Sequence, residues 1–203
     1  MNDIRFYKFL LSLNALLPLA LMLIDWSRGR LGANPIEFFL RATGVMTLIF
    51  LTVTLSITPL RKIFGLNHLI KYRRMAGLYA FFYAGVHLLT YSVFDKGLGL
   101  RAIAEDIVQR PFIAVGMAAF AMLIPLAVTS TNGWIKRLGG KRWARLHKMT
   151  YAIAILGVIH FWMIVKSDVF YPAMFGVLTG ILLCYRALPK ITKIVKSVNA
   201  IKP

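Results

Sequence analysis

The sequence predicts an all-α membrane protein, a six-transmembrane-helix bundle with both termini cytoplasmic. Three observations carry this reading. The 203-residue chain is 59% hydrophobic, with a mean hydropathy of +0.69; six apolar segments approach the length that crosses a bilayer; and Lys and Arg gather on alternate loops. Soluble domains are apolar over roughly half their residues even with Gly included, so this chain needs lipid.

Crossing about 30 Å of hydrocarbon at about 1.5 Å per residue takes about 20 largely apolar residues. The segments that meet this run from Phe9 to about Trp26, Ala42 to Leu60, Met75 to Phe94, Pro111 to Ser130, Met149 to Val165 and Val169 to Tyr185. None carries Lys or Arg away from an end. Arg5 and Lys8 before the first segment resemble the start of a secretory signal, but no small-residue cleavage site closes it and Asp25-Trp26 ends it poorly; it is expected to remain as a span. The second segment is the most polar, with Thr43, Thr47, Thr52, Thr54, Ser56 and Thr58. Hydroxyls can bond back to their own helix backbone, so it still qualifies. The fifth and sixth are joined only by Lys166-Ser167-Asp168, which requires an antiparallel hairpin.

Short cytoplasmic loops are enriched in Lys and Arg. Arg61, Lys62, Lys71, Arg73 and Arg74 follow the second segment, and Lys136, Arg137, Lys141, Arg142, Arg145 and Lys148 follow the fourth, with no acid in either group. Arg186, Lys190, Lys193, Lys196 and Lys202 repeat the pattern in the tail. Asp25, Glu37, Asp95, Glu105, Asp106 and Asp168 fall on the opposite side, and only Asp3 breaks the separation. The net charge of +18 is therefore explained by topology and by anionic lipid headgroups, without a nucleic-acid partner. No repeat or low-complexity linker divides the chain, so residues 1–203 are expected to form one domain.

An ionisable group inside a bilayer is costly and is by default a functional candidate. Of the four histidines, His68 lies in a basic loop and reads as solvated. His87 lies 13 residues beyond Arg74 and His160 lies 12 beyond Lys148, which puts both about 18–20 Å into helices running outward. Two imidazoles at matched depth on facing helices suit the axial positions of a haem iron. Gly77, Ala80 and Ala84 share the stripe of His87, with Arg73 and Tyr91 at its ends, and Gly157 lies one turn before His160. Such small residues leave room for a flat ring. The competing reading is that the histidines hydrogen-bond between helices and the small residues serve close packing.

With Cys184 as the single cysteine there is no covalent haem motif and no cysteine set for an iron–sulfur cluster, so a bound haem would be b-type. No nucleotide-binding loop is present, and electrons would have to arrive from elsewhere. His147 lies 13 residues before His160, about 20 Å lower, a spacing that suits a second redox centre; on one regular helix, however, the two rings would not point the same way. Arg73, Arg74 and His147 read as the lining of an inner site for a quinone or a flavin phosphate, or the arginines as a collar that binds headgroups. A haem-free transporter is the rival from another class, against which the spans hold no acid for a proton relay.

Leu31-Gly32-Ala33-Asn34-Pro35, Ile57-Thr58-Pro59-Leu60, Arg73-Arg74, His87-Leu88 with Tyr91, Arg110-Pro111, Thr129-Ser130, Leu138-Gly139 with Trp143, Leu146-His147 and Ile159-His160 together resemble a known pattern. In order and spacing, over nearly the whole chain, they are similar to the haem-binding membrane subunits of bacterial periplasmic methionine sulfoxide reductase systems, the MsrQ family, within the ferric-reductase-like transmembrane family. The resemblance implies an electron-transfer subunit of the inner membrane. Its electrons would come from the quinone pool or a soluble flavin reductase and pass to a periplasmic molybdenum-containing catalytic subunit, MsrP, which repairs oxidised proteins. It implies haem b and FMN as cofactors. It also matches His87 and His160 to haem-ligand positions and His147 to a third functional histidine, a further candidate iron ligand. Larger relatives carry two histidines on each of these helices; Arg73 stands in place of one here. The other expectation within redox chemistry is a quinone-linked cytochrome b serving a different periplasmic reductase.

Overall fold

The computed structural model describes residues 3–199, with side chains described for 4–188. The expected charges of Lys190, Lys193, Lys196 and Lys202 lie outside the described side chains. Among the described residues the chain is all-helical: α1 (Asp3–Ser27), α2 (Pro35–Phe64), α3 (Arg73–Thr90), α4 (Leu100–Gln109), α5 (Pro111–Val128), α6 (Asn132–Leu138), α7 (Gly140–Leu146), α8 (Met149–Ile164) and α9 (Phe170–Asn199). A 3-10 turn, Asn67–Lys71, precedes α3, and a π-helical turn, Tyr91–Asp95, continues it. Six helical stretches are long and apolar enough to cross a membrane, and each contains or nearly contains one of the segments expected from sequence.

α2 outruns its hydrophobic segment, Ala42 to Leu60, and its ends are capped chemically. Asn34 caps α2 by accepting the Glu37 N–H at 3.1 Å, Pro35 fits the first turn, and Gly65 closes the other end in the left-handed conformation at φ 71°. Composition marks where lipid ends, whereas caps mark where the helix ends. The stretch between the third and fourth spans is itself structured. It holds α4, whose buried Asp106 accepts from Tyr91 Oη at 2.9 Å and from Lys96 Nζ at 2.6 Å, with Arg110 Nε at 3.5 Å.

α2 packs along α3 and α5 along α8, with α9 against α8 and α2. The shared core is Leu48, Leu51, Ala80, Ala84, Leu123, Leu126, Ile153 and Phe175. α1 is peripheral and attached by few contacts. Tyr83 Oη donates to the Ala15 carbonyl at 2.6 Å, and Trp26 meets Phe39 and Phe94 edge-on or tilted. Three threonines of α2 bond back to their own helix, Thr43 to Phe39 at 2.6 Å, Thr47 to Thr43 at 3.0 Å and Thr54 to Phe50 at 2.7 Å, so these hydroxyls enter an apolar setting already satisfied.

Arg186, which the sequence places with the basic tail, is half-buried and turned into the bundle. Pro59 has no N–H, so the Leu55 carbonyl one turn earlier loses its helical donor. Arg186 Nη2 donates to that carbonyl, Nη1 donates to its own Leu182 carbonyl at 2.8 Å, and the guanidinium lies over the Tyr151 ring at 5.5 Å. A proline in α2 and an arginine in α9 thus complete one another.

Candidate functional site

α2, α3, α5 and α8 enclose a cavity of about 350 Å³. Its two ends differ. Leu48, Leu51, Phe120, Leu123 and Ile153 wall one end, whereas Glu37, Arg41, Asp95 and Arg110 stand at the other. This second end, the acidic end of the bundle, is where α4 lies.

His87 of α3 and His160 of α8 face each other across the cavity, with ring centroids 6.1 Å apart and planes at 87°. Each ring is fixed by the backbone of a neighbouring helix. His87 Nδ1 lies 2.9 Å from the Leu40 carbonyl of α2, and His160 Nδ1 lies 2.6 Å from the Phe112 carbonyl of α5. A carbonyl only accepts, so each Nδ1 carries the proton and each Nε2 keeps its lone pair. That tautomer is the one that can bind a metal through Nε2, and the carbonyl contact is the usual outer partner of a metal-ligating histidine. Thr43 Oγ1 lies 3.4 Å from His87 Nδ1 and is itself committed to the Phe39 carbonyl.

The close approach of each ring to a helix backbone needs a glycine. In an α-helix the residue four further on sits directly beyond a given carbonyl; after Leu40 this is Gly44, and after Phe112 it is Gly116. A Cβ at Gly116 would stand 2.8 Å from His160 Cε1, while one at Gly44 would stand 3.4 Å from His87 Cε1 and Nδ1. The same device, a carbonyl with a glycine one turn later, therefore holds both imidazoles. Sequence reasoning named neither glycine. Of the small residues it did name, Ala84 and Gly157 line the cavity, whereas Gly77 packs against Thr54 of α2.

The remaining candidates lie at the opposite, basic end. Arg73 lines a second cavity of about 350 Å³ together with Lys62, Lys148, Tyr151, Tyr185 and Arg186. Arg74 Nη2 instead donates to Asn132 Oδ1 at 2.9 Å. His147 ends α7, its Nε2 3.1 Å from Thr129 Oγ1 and its ring stacked on Trp143 at 4.0 Å. Trp143 Nε1 in turn donates to the Thr129 carbonyl at 2.9 Å. A break at His147-Lys148 separates α7 from α8, so His147 and His160 do not share the one regular helix against which their angle was judged. Of the three residues grouped by sequence, Arg73 alone is among those that line the second cavity. His68 is exposed in its 3-10 turn.

Among the described residues no three His, Cys, Asp or Glu side chains converge on a metal position. Two imidazoles are therefore what the first cavity offers a metal.

Residues 40–158 match the ferric reductase like transmembrane component family. The chain is similar to "Protein-methionine-sulfoxide reductase heme-binding subunit MsrQ" of Herminiimonas arsenicoxydans, 50% identical over 88% of this chain and 83% of that protein. It resembles the proteins of the same description from Ralstonia nicotianae, at 46% identity over 79% of this chain and 74% of the relative, and from Rhodospirillum rubrum, at 47% over 88% and 86%. No solved structure matches the chain. The family match runs from within α2 to within α8, takes in His87 and the Leu40 and Phe112 carbonyls that orient the two imidazoles, and stops two residues before His160; the chain belongs to the ferric-reductase-like transmembrane family and, within it, to the MsrQ family.

Proposed function

We propose that the protein holds one haem b between His87 and His160 and carries electrons across the bacterial inner membrane to a periplasmic molybdenum-containing methionine sulfoxide reductase, MsrP. The observation that carries this reading is the opposed pair of imidazoles, both fixed as Nδ1–H tautomers by main-chain carbonyls. With ring centroids 6.1 Å apart across the cavity, His87 and His160 would be the residues that hold the haem iron. An iron that brings four porphyrin nitrogens needs two more donors, and two are offered. The relatives' description as heme-binding subunits supports the same assignment.

Haem iron supplies reversible one-electron storage when bound. The chain's own part is to fix both axial imidazoles, to shield the ring with apolar side chains and to place it nearer the acidic end. The charge separation supports an acidic end in the periplasm and a basic end in the cytoplasm. Lys62, Arg73, Lys148 and Arg186 around the second cavity are suited to a phosphate of FMN or the oxygens of a quinone. On this reading the donor, a quinol or a reduced flavin from a soluble reductase, delivers electrons there.

A reduced-minus-oxidised spectrum with haem and flavin analysis of the purified protein tests the reading. A low-spin b-type spectrum is expected, lost in His87→Ala and in His160→Ala and kept in His68→Ala. A colourless protein, or full haem content in both cavity variants, overturns it. Reporter fusions after Lys71 and Arg145 should report cytoplasm, and those after Asn34 and Lys96 periplasm.

A further inference from the structure

The charged side chains that line the histidine cavity all stand at its acidic end: Glu37, Arg41, Asp95 and Arg110. A porphyrin of the b type bears two carboxylate arms on one edge. Pointed toward Leu48, Leu51 and Phe120, those arms would be buried without partners, at a cost no contact there offsets. We infer that Arg41 and Arg110 clamp the two carboxylates and so set the ring's orientation, arms toward the acidic end; the inference rests on the haem reading above.

The two arginines are placed alike. Arg41 directly follows Leu40, whose carbonyl holds His87, and Arg110 comes two residues before Phe112, whose carbonyl holds His160. One guanidinium thus stands at the acidic end of each helix that orients an imidazole. Both have donors to spare. Glu37, which pairs with Arg41 at 2.5 Å, also receives Asn34 Nδ2 at 3.1 Å. Asp106 is already met by Lys96 at 2.6 Å and Tyr91 at 2.9 Å, leaving Arg110 Nε at 3.5 Å. With side chains 74% and 51% exposed, the arginines are free to turn toward the cavity, and five N–H groups in a planar fork match a carboxylate. Glu37 and Asp95 face the same mouth and repel the arms, which leaves the two guanidinium groups to hold them.

The test uses the haem-loaded protein. In Arg41→Ala/Arg110→Ala the axial spectrum should persist while haem passes to excess apomyoglobin about tenfold faster or more, the loss expected for charge-assisted bonds. The propionate bending bands in the resonance Raman spectrum should shift in the double alanine variant and stay nearer the wild-type position in Arg41→Lys/Arg110→Lys. If the double variant does not fold, the single Arg41→Gln, at an exposed position, decides by the same bands. Unchanged propionate bands in the alanine variant overturn the clamp while the haem assignment stands. A wild-type protein without haem overturns both.

Discussion

Gly116 lies against the ring of His160 so closely that a single added carbon would stand 2.8 Å from Cε1 and 2.9 Å from Nδ1. The contact follows from the Phe112 carbonyl holding that ring one helical turn away. Gly116→Ala must therefore displace the imidazole or the helix, an overpacking that costs about 1–3 kcal/mol. Haem content of the purified variant should fall steeply. Gly44→Ala, with 3.4 Å to the His87 ring, should retain most of it. Equal retention in both would mean that the glycines do not set the ring positions.

A second prediction concerns Pro59 and Arg186. Removing the guanidinium in Arg186→Leu leaves the Leu55 carbonyl without its donor, worth about 1–3 kcal/mol for a buried polar group. In Pro59→Ala the residue-59 N–H returns to that carbonyl, so the loss on replacing Arg186 should shrink. A double-mutant cycle on thermal or denaturant stability in detergent measures the coupling. Strict additivity would show that the two residues act independently.

Asp106 and Lys96 make stability depend on pH at both ends of the scale. The hydrogen bond from Lys96, helped by the one from Tyr91 and by the nearby positive charge of Arg110, holds the Asp106 carboxyl below its usual range, and the bond to Asp106 raises the Lys96 ammonium above its own. The depressed acid contributes stability that is complete above its unfolded value of about 4 and is lost as pH falls through the lower folded value. The raised ammonium contributes stability that is complete below about 10.4 and is lost as pH climbs through the higher folded value. Between these limits Asp106→Asn should lower the melting temperature. Below the folded value the variant and wild type should converge, and melting curves across pH would reveal a parallel offset if they do not.

Arg73→Ala combined with Lys148→Ala tests electron uptake at the basic end. Reduction of the haem by the physiological donor should slow at least tenfold, while dithionite still reduces it and the oxidised spectrum stays intact. Arg74→Ala, whose guanidinium is engaged by Asn132 at 2.9 Å, should have the smaller effect. Unchanged donor-driven kinetics in the double variant would move electron uptake elsewhere.

The six spans were legible because lipid imposes a length and a hydropathy on each of them. His87 and His160 stood out for the same reason, as ionisable groups where few are tolerated. The groups that hold them did not. A main-chain carbonyl belongs to every residue alike, so nothing at Leu40 or Phe112 announces its role; only Gly44 and Gly116, one turn later, leave a mark in the sequence, and glycine in a membrane helix has other ordinary uses. Arg73, Arg74 and His147 were grouped by their nearness along the span ends, yet side-chain reach separates them: Arg74 turns to Asn132 and His147 to Thr129. From sequence Arg186 reads only as a topology charge, because the missing donor at Pro59 that it also serves lies in another helix, 127 residues earlier.

Because Leu40 and Phe112 act through their peptide groups, the tautomer of each cavity histidine is insulated from side-chain replacement at those positions. Substituting either residue changes the wall of the cavity but leaves the proton on the same ring nitrogen, so long as the helix is intact. The electron-accepting tendency of a bound iron can then drift through wall polarity and nearby charge without risk to its axial bonds. Ligand orientation and redox tuning are thereby assigned to different atoms of the same helices, and libraries at positions 40 and 112 should yield a spread of midpoint potentials at nearly constant haem occupancy.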